Sequence, residues 1–318
     1  VKLMTKIKPD ISVIMSVNNN FDNYLQLSIE SILNQSFKNF EFIIINDGNK
    51  KYLENIINEY SKKDKRIVYK TTPGIGLTAS LNYAITFAKS KFIARQDYDD
   101  ISIFNRLDIQ YNFLKNNNEY IFCASNVSII DNIGNKKYSK SYQNIFKVDN
   151  KKIAKQLKYK NIFSHSSCMF ETNSFRKTGG YDENFKYTQD YDLWSRMIKH
   201  GKFIKLKEKL ISLRIHKNSI SSQKNKEQRF YSFFIGLKFT FPQLQYLTAK
   251  IRDKEFLNFL ENKYFDNYQI NNTIIARKYV YMYDQVNILK FFSYSLVVKF
   301  QIIQLYYNRP SYLIYRLF

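Results

Sequence analysis

The stretch that decides the fold is FIARQDYDDISIFNRLDIQ, residues 92–110, where a short apolar run leads directly into a group of acids. Asp97, Asp99 and Asp100 lie within four positions of one another in a chain whose net charge is +23. Clustered carboxylates raise one another's pKa unless a cation or hydrogen-bond donors compensate. Oxygen ligands of this kind suit Mg²⁺ or Mn²⁺, which take phosphate oxygens as further ligands. The stretch therefore predicts a metal and phosphate site at the end of a buried strand.

Around this stretch, apolar runs alternate with segments of helical period. The runs predicted as strands are ISVIMS (11–16), FEFIIIND (40–47), RIVYKTT (66–72), KFIARQD (91–97), YIFCASNVSII (120–130), SCMFE (167–171) and LISLRIH (210–216). Helices are predicted between the first four strands and again at about 190–200. This alternation is typical of a layered α/β domain with a Rossmann-like, mainly parallel sheet flanked by helices. From about residue 224 the pattern becomes helical, so we predict an α/β domain over 1–222 and a helical C-terminal extension over 223–318.

Several polar residues fall where predicted strands end. Asn18 follows the first strand, Asp47 ends the second, and residues 97–100 close the fourth. Ligands of open α/β sheets bind outside the carboxyl ends of the strands, so these groups should converge on one crevice. Asp and Asn are also common in turns and at helix N-caps, which is the competing explanation for each residue taken alone.

The composition leaves two classes of function open. The chain has 318 residues, 17% of them aromatic, and 50 Lys and Arg against 27 Asp and Glu. Such a surface should attract polyanions or anionic membranes, although Lys, Asn, Ile and Tyr are abundant throughout and part of the excess carries no function. A nucleic-acid-binding protein fits the charge, but no recognisable binding signature accompanies it and the acids stay unexplained.

The sequence predicts a cytoplasmic protein. Cys123 and Cys168 belong to no CxxC or Cys/His cluster, so neither a disulfide nor a zinc site is expected. The apolar run near the N-terminus is too short for a signal peptide, and the apolar region 291–307 is interrupted and falls short of a membrane span. The basic, aromatic segment 285–318 either lies at an anionic membrane, at the inner face of the plasma membrane, or packs on the domain as helices.

The segment GIGLTA, residues 74–79, offers a dinucleotide-binding alternative, because it satisfies G-x-G-x-x-A after a strand and before a helix. The motif follows the third strand rather than the first, and Asp97, in the place of the ribose acid, belongs to the acidic cluster. The glycines are better explained as a tight turn beside a ligand.

The ordered motifs resemble one known family. ISVIMSVNNNFDNYLQLSIESILNQSFKNFEFIIINDG, GLTASLNYAITFAKSKFIARQDYDD, NRLDIQ, TGGYDENFKYTQDYDLWSRM and LRIHKNSIS are similar to family-2 glycosyltransferases of bacterial polysaccharide, O-antigen or lipooligosaccharide biosynthesis, over roughly residues 9–222. The resemblance implies the GT-A nucleotide-sugar-binding fold, a nucleotide-sugar donor for which UDP-sugar is the best candidate, Mn²⁺ or Mg²⁺, and inversion at the anomeric carbon. It also implies a glycan or lipid-linked oligosaccharide acceptor and no nucleic-acid partner.

The resemblance assigns the donor site residue by residue. Asp47 would contact the nucleobase, helped by Ser16 and Asn18. Asp97 would lie near the ribose. Asp99 would bind the metal that bridges the diphosphate.

The remaining motif residues carry the other roles that the resemblance implies. Asp190 would be the catalytic base, with Asp192 as its nearest rival and helix capping as the competing explanation. His216 would lie by the metal and diphosphate, with Lys217 a further phosphate partner; a structural histidine is the alternative. His165 would be an acceptor-side or structural residue. Asp100 and Arg106 are interpreted mainly as organisers of the acidic loop and the helix that follows.

The sequence departs from the family pattern in three places. Val17 and Asn18 stand where many relatives have Tyr-Asn or Pro-x-Tyr, which puts base selectivity in doubt. The segment NDGNKK lacks the usual Ser-Thr-Asp. Gln189 replaces the Glu that usually precedes the base, which leaves open a catalytically inactive subunit.

Overall fold

The computed structural model describes residues 8–18, 22–137 and 147–240, all within the compact unit Val1–Arg252. The described residues form nine strands, nine α-helices and the short 3₁₀ helix His165–Ser167. The strands are β1 Ile11–Val17, β2 Phe40–Asp47, β3 Ile67–Thr72, β4 Phe92–Arg95, β5 Ile101–Ser102, β6 Tyr120–Ile130, β7 Lys136–Lys137, β8 Cys168–Glu171 and β9 Lys202–Arg214. The helices are α1 Asp22–Leu33, α2 Lys51–Lys63, α3 Leu77–Thr86, α4 Arg106–Asn116, α5 Asn150–Leu157, α6 Thr172–Lys177, α7 Gln189–Met197, α8 Ile220–Gln223 and α9 Asn225–Thr240.

The predicted extension begins at α9, and its remainder, including the segment 285–318, lies outside the described residues. The boundary at residue 222 therefore stays a prediction. Within the described ranges, no helix is long and apolar enough to cross a membrane.

One sheet contains all nine strands, in the order β3-β2-β1-β4-β8-β6-β9-β5, with β7 paired to β6. The first four strands run parallel, as the alternating pattern predicts. β8 then runs antiparallel to both β4 and β6, and β5 runs antiparallel to β9. The second half of the chain thus makes the sheet a mixed one, flanked by helices.

The central strands are buried on both faces, which explains their unbroken apolar sequences. Every residue of β1 and β2 is buried. Helix α1 packs against the sheet through Leu25, Ile29 and Ile32, which recur at helical spacing and are fully buried. This core fixes where β1, β2 and β4 end, and therefore where the polar residues after them lie.

Two strands differ in length from the sequence prediction. β4 ends at Arg95, two residues early, and the buried Arg95 side chain donates hydrogen bonds to the carbonyls of Ile14 and Gln96. β9 begins at Lys202 rather than at 210. In KFIKLKEK, lysines alternate with apolar residues, which is the pattern of a half-buried strand. Because these lysines interrupt the apolar sequence, the prediction from continuous apolar runs includes only the second half of β9.

A buried arginine organises the chain behind the acidic loop. Arg106, the first residue of α4, is fully buried and donates from all three side-chain nitrogens. The acceptors are Gln110 Oε1 at 3.0 Å, Gln96 Oε1 at 2.9 Å, Ser102 Oγ at 2.9 Å, and the carbonyls of Arg95 at 2.7 Å and Cys168 at 3.2 Å. Burial lowers the pKa of Arg106 to about 10, so the side chain stays charged at neutral pH. The guanidinium therefore joins β4, α4 and β8 at the base of the loop.

Arg106→Met should destabilise the fold strongly, because the buried acceptors around it lose their donors. Each unpaired buried polar group costs about 1–3 kcal/mol, so we expect a loss of at least about 3 kcal/mol in the free energy of unfolding. Urea denaturation measures this loss. The exposed Arg176 on α6 gives a matched control, since Arg176→Met should change stability by less than about 0.5 kcal/mol. Equal stability of the two variants would contradict the role of Arg106.

Candidate functional site

A cleft of about 680 Å³ lies where the ends of β1 and β2 and the loop after β4 face the start of α7. Its lining comes from separate parts of the chain: Ser16, Asn18, Asp47, Leu77, 97–100, Asn161, 163–165, 187–191, 213–215, 218–222, Gln228 and Ser232. The structure thus brings together the predicted residues Ser16, Asn18, Asp47, Asp97, Asp99 and Asp190. His216 reaches the cleft through Asp99, to which its ring is hydrogen-bonded.

One wall of the cleft is fixed by Asp47, which is 1% exposed. Its Oδ1 accepts hydrogen bonds from Thr72 Oγ1 at 2.8 Å and from the Ile75 N–H at 2.7 Å. Its Oδ2 accepts from the Gly76 N–H at 2.9 Å. Gly76 has a φ of 87°, which favours glycine. The GIGLTA segment is therefore a turn bound to the end of β2, and Asp47 holds it beside the cleft.

The three carboxylates of the acidic loop, residues 97–100, have different surroundings. Asp100 is 1% exposed, and accepts hydrogen bonds from the Arg214 N–H at 2.9 Å and from the Ser166 hydroxyl. Asp99 is more open, and its Oδ2 lies 2.9 Å from His216 Nε2. Asp97 forms an ion pair with the buried Arg95. Asp100 therefore anchors the loop to β9, which leaves Asp97 and Asp99 to face a ligand.

The electrostatics of the loop reflect its burial. Burial raises the pKa of Asp100 well above its usual range, and the charges of Asp99 and Asp97 add to the effect. Burial also raises the pKa of Asp97, although the positive charge of Arg95 opposes it. These carboxylates therefore lie close together in a buried setting, where a bound cation would favour their ionised form.

The opposite wall presents Asp190, the second residue of α7. Its Oδ2 accepts a hydrogen bond from Asn161 Nδ2 at 2.7 Å, and the Tyr191 N–H donates to the same carboxylate. Burial raises the pKa of Asp190 to about 6, against the lowering effect of these two hydrogen bonds. The group is thus mostly ionised at neutral pH and still basic enough to accept a proton, as a general base must be.

The nearby acid of the same helix, Asp192, has a different environment. Its side chain is fully buried, with Oδ2 at 2.6 Å from Arg196 Nη2 and Oδ1 at 3.3 Å from Lys238 Nζ. It does not line the cleft. Asp192 therefore ties α7 to α9, and this placement favours Asp190 over its rival as the base.

His165 also lines the cleft, and its Nε2 lies at hydrogen-bond distance, 2.8 Å, from Tyr181 Oη. Burial lowers the pKa of His165 well below its usual range, and the charge of Arg95 acts in the same direction. Burial likewise raises the pKa of Tyr181 well above its usual range. Both groups are neutral at physiological pH, so His165 contributes a polar but uncharged surface.

The comparison with known families agrees with this architecture. Residues 12–179 match the family model described as glycosyl transferase family 2. The chain belongs to glycosyl transferase family 2. This glycosyltransferase is 36% identical over 263 residues to an uncharacterized glycosyltransferase of Methanocaldococcus jannaschii, a match covering 81% of this chain and 84% of that protein. It is also 36% identical over 213 residues to the O-antigen biosynthesis glycosyltransferase WbnJ of Escherichia coli, covering 66% of this chain and 81% of that protein.

Solved structures show that this glycosyltransferase has the GT-A fold. The S. aureus TarS fragment 1–349 in complex with UDP-GlcNAc superposes with a TM-score of 0.59 at 16% identity, covering 80% of this chain and 73% of that chain. The same fragment in complex with UDP gives a TM-score of 0.57 at 16% identity, covering 81% and 73%. The fold expected from the resemblance is confirmed.

In this glycosyltransferase, the structure adds site residues that the sequence did not indicate. Asn161 binds Asp190 across 29 positions, and Arg214 donates from Nε to the carbonyl of Asp99 at 2.9 Å. Gln96 donates from Nε2 to the carbonyl of Asp100 at 2.8 Å. The segment LRIHKNSIS indicates a role for its His but not for its Arg, because the contact of Arg214 with the carbonyl of Asp99 depends on how β9 crosses the loop.

Two donor atoms in this glycosyltransferase are suited to share a divalent cation. They are Asp99 Oδ2 and His216 Nε2, an oxygen and a nitrogen 2.9 Å apart. Within the described ranges, no group of three or more His, Cys, Asp or Glu side chains is arranged to hold a metal. A pair is enough where phosphate oxygens and water complete the coordination, as is common for Mg²⁺.

Proposed function

We propose that this glycosyltransferase is metal-dependent and inverting, and that it moves a sugar from a nucleotide-sugar to an acceptor hydroxyl. The expected donor is a UDP-sugar. The expected acceptor is a glycan or lipid-linked oligosaccharide in surface polysaccharide synthesis.

The observation that carries the proposal is the division of labour within one cleft. Asp99, with His216, lies at the carboxyl end of the parallel strands, where the α/β fold binds nucleotides. Asp190 lines the same cleft from α7, with a pKa of about 6. One wall thus offers ligands for a cation, and the other offers a base.

The relatives support the choice of donor and pathway. WbnJ is named for O-antigen biosynthesis, and the TarS structures hold UDP and UDP-GlcNAc. Asp47 and the Gly76 turn provide a rigid polar wall next to Ser16 and Asn18, which suits the flat edge of a nucleobase.

A divalent ion, Mn²⁺ or Mg²⁺, would be held by Asp99 and His216. When bound, it would stabilise the negative charge that develops on the departing diphosphate. Asp97, which is paired with Arg95, would accept hydrogen bonds from a ribose. Arg214 and Asp100 keep the loop in position by their mutual contact.

Asp190 would take the proton of the acceptor hydroxyl as that oxygen attacks the anomeric carbon. The base and the leaving group then lie on opposite faces of the sugar ring, which inverts the configuration. Asn161 holds the carboxylate in place during this step, and His165 stays neutral beside it. Proton removal and leaving-group departure therefore depend on different acids.

A thermal-shift screen of nucleotide-sugars with and without Mn²⁺ tests this function, because a ligand that binds the native state raises its apparent stability. We expect the melting temperature to rise with a UDP-sugar and Mn²⁺ together, and less with either alone. Release of UDP from that donor then separates an active enzyme from an inactive subunit. Stabilisation by no nucleotide-sugar, with or without metal, would contradict the proposal.

A further inference from the structure

The turn between β6 and β7 carries an exposed isoleucine. The two strands pair as a hairpin with Ile130 opposite Lys136, and residues 131–135 connect them. Ile133 lies in the middle of this turn and is 75% exposed. Polar residues and glycine dominate turns, and an isoleucine left in water gains nothing from burial. The turn therefore presents an apolar side chain that the described fold does not cover.

Hydrogen bonds hold this turn in one conformation. Asp131 Oδ1 accepts from the Ile133 N–H at 3.1 Å and from the Asn135 N–H at 2.9 Å. The Asp131 N–H donates to the carbonyl of Asn135 at 2.9 Å. From β9, Arg214 Nη1 donates to the carbonyls of Asp131 at 2.9 Å and of Asn132 at 3.2 Å. The exposed position of Ile133 is therefore set by a fixed backbone.

Further apolar and basic residues lie beside the turn. β6 and β9 run parallel to their shared end, where the Ile215 N–H donates to the carbonyl of Ile130 at 2.9 Å. Ile215 is 43% exposed and lines the cleft. Lys136, Lys137 and Lys217 are exposed. We call these groups the hairpin patch, which consists of Ile133, Lys136, Lys137, Ile215 and Lys217.

Two isoleucines among three lysines are complementary to one kind of surface. Lysine ammonium groups are attracted to anionic lipid headgroups, and apolar side chains enter the boundary between headgroups and acyl chains. A single-stranded nucleic acid would also attract the lysines, but its bases stack on aromatic side chains rather than on isoleucine. The combination therefore favours a lipid bilayer over a nucleic acid.

We propose that the hairpin patch docks this glycosyltransferase on an anionic membrane surface. Ile133 enters the boundary below the headgroups, and the lysines of the patch contact the headgroups. The inference goes beyond the proposed function, because it assigns a membrane-binding surface and uses neither the base nor the metal ligands.

The patch is connected to the cleft through one side chain. Arg214 donates from Nη1 to the turn and from Nε to the carbonyl of Asp99 at 2.9 Å. Ile215, the next residue, belongs both to the patch and to the cleft lining. Docking therefore places the mouth of the cleft at the headgroup layer, where an acceptor sugar carried on a lipid reaches it from the membrane.

A fluorescent label at residue 133 tests the docking directly. Cys123 and Cys168 are the two cysteines of the chain and both are buried, so Ile133→Cys adds a single accessible thiol for an environment-sensitive fluorophore. The probes are vesicles of phosphatidylcholine alone, or with about 30% phosphatidylglycerol to supply negative charge. We expect the emission to shift to the blue with the anionic vesicles and not with the neutral ones. Phe104→Cys, at a residue that is 65% exposed outside the patch, is the matched control and should show no shift.

Vesicle flotation of the full chain measures what the patch contributes. Ile133→Asn should weaken binding to the anionic vesicles by about 10-fold, because it removes the apolar side chain that enters the bilayer. Lys136→Ala combined with Lys137→Ala should weaken it by at least about 10-fold, since one lysine near an anionic surface is worth about 5-fold.

The matched control for the lysine variant is Lys62→Ala combined with Lys63→Ala. These two lysines are also adjacent and exposed, but they end α2, which packs against the edge strand β3. The control removes the same charge from the chain and should change binding by less than about 2-fold.

Four outcomes overturn the proposal. The first is an unshifted label at residue 133 in the presence of anionic vesicles. The second is an equal loss of binding in the two lysine variants, which would mean that only the overall charge matters. The third is a blue shift without vesicles that grows with protein concentration, which would assign the patch to a second copy of the chain. The fourth is a shift with single-stranded DNA and none with vesicles. These measurements need no sugar donor, so a failure of the proposed function leaves them unchanged.

Discussion

Asp190→Asn should lower sugar transfer by about 10² to 10⁴-fold, the usual contribution of a positioned general base, and leave UDP affinity nearly unchanged. The acceptor hydroxyl is too weak an acid to attack without losing its proton, and Asn cannot take that proton. Steady-state kinetics with the donor found in the thermal-shift screen measures the first effect. Calorimetric titration with UDP and Mn²⁺ measures the second.

The fold of this variant should be intact. Burial raises the pKa of Asp190 to about 6 in the folded protein, which favours the protonated carboxyl. As the pH rises from the unfolded pKa through about 6, the carboxyl ionises and the folded state loses stability. A neutral Asn avoids that loss, and the melting temperature at neutral pH should equal or exceed that of the wild type. A loss of activity at unchanged melting temperature is therefore a loss of chemistry.

Asp192→Asn is the matched control on the same helix. It weakens the buried contacts with Arg196 and Lys238, so it should lower the melting temperature while the folded fraction keeps near-normal kcat. Near-normal turnover in Asp190→Asn, combined with inactivity in folded Asp192→Asn, would transfer the role of base to Asp192.

The pH dependence of the wild type follows from the same group. A base with a pKa of about 6 is ionised above that pH and protonated below it, so kcat/KM should fall tenfold per unit of pH on the acid side. Asn161→Ala removes a hydrogen bond that favours the ionised form, and should move this acid limb to higher pH. If the acid limb of Asn161→Ala stays at the same pH, Asn161 does not influence the group that titrates.

The first half of the fold follows from local sequence pattern. β1 and β2 are buried on both faces, so their sequences are unbroken apolar runs, and α1 repeats Leu25, Ile29 and Ile32 at helical spacing. The chain-order neighbours β1, β2 and β3 also lie side by side there, and β4 pairs with β1 on the other side. The later strands do not obey this rule, because β8 inserts between β4 and β6 and runs against both. No local pattern encodes that arrangement, which depends on long-range pairing.

The same distinction applies to the site. Asp47 and Asp97 end predicted strands and Asp99 follows one, so the rule that ligands bind at strand ends predicts that these three residues lie together. Asn161 was not predictable, since it lies in an irregular segment and meets Asp190 only through the packing of α5 and α7. The unpaired state of Gln189 Oε1 is likewise a property of the folded cleft. The sequence therefore identifies site residues at the ends of strands. Site residues in irregular segments, such as Asn161, are found only in the structure.

Asp99→Asn should remove the dependence of UDP binding on Mn²⁺ and lower transfer by about 10²-fold or more, because stabilisation of a departing diphosphate by a metal is worth several kcal/mol. An amide is a poorer ligand than a carboxylate and brings no charge to balance the cation. The side chain is partly exposed, and its described contact is with His216, so the fold should tolerate the change. Calorimetry with UDP in the presence and absence of Mn²⁺ measures the coupling between metal and nucleotide.

Asp108→Asn on α4 provides the matched control, since it removes the same charge at a position outside the cleft lining and should leave metal-dependent UDP binding intact. Asp100→Asn distinguishes ligand from scaffold, because Asp100 binds the Arg214 N–H and the Ser166 hydroxyl and should act through stability. His216→Ala should weaken Mn²⁺ binding in the same sense as Asp99→Asn if the two side chains share the cation. Unchanged affinity and unchanged Mn²⁺ dependence in Asp99→Asn would show that the metal, if one is used, is held elsewhere.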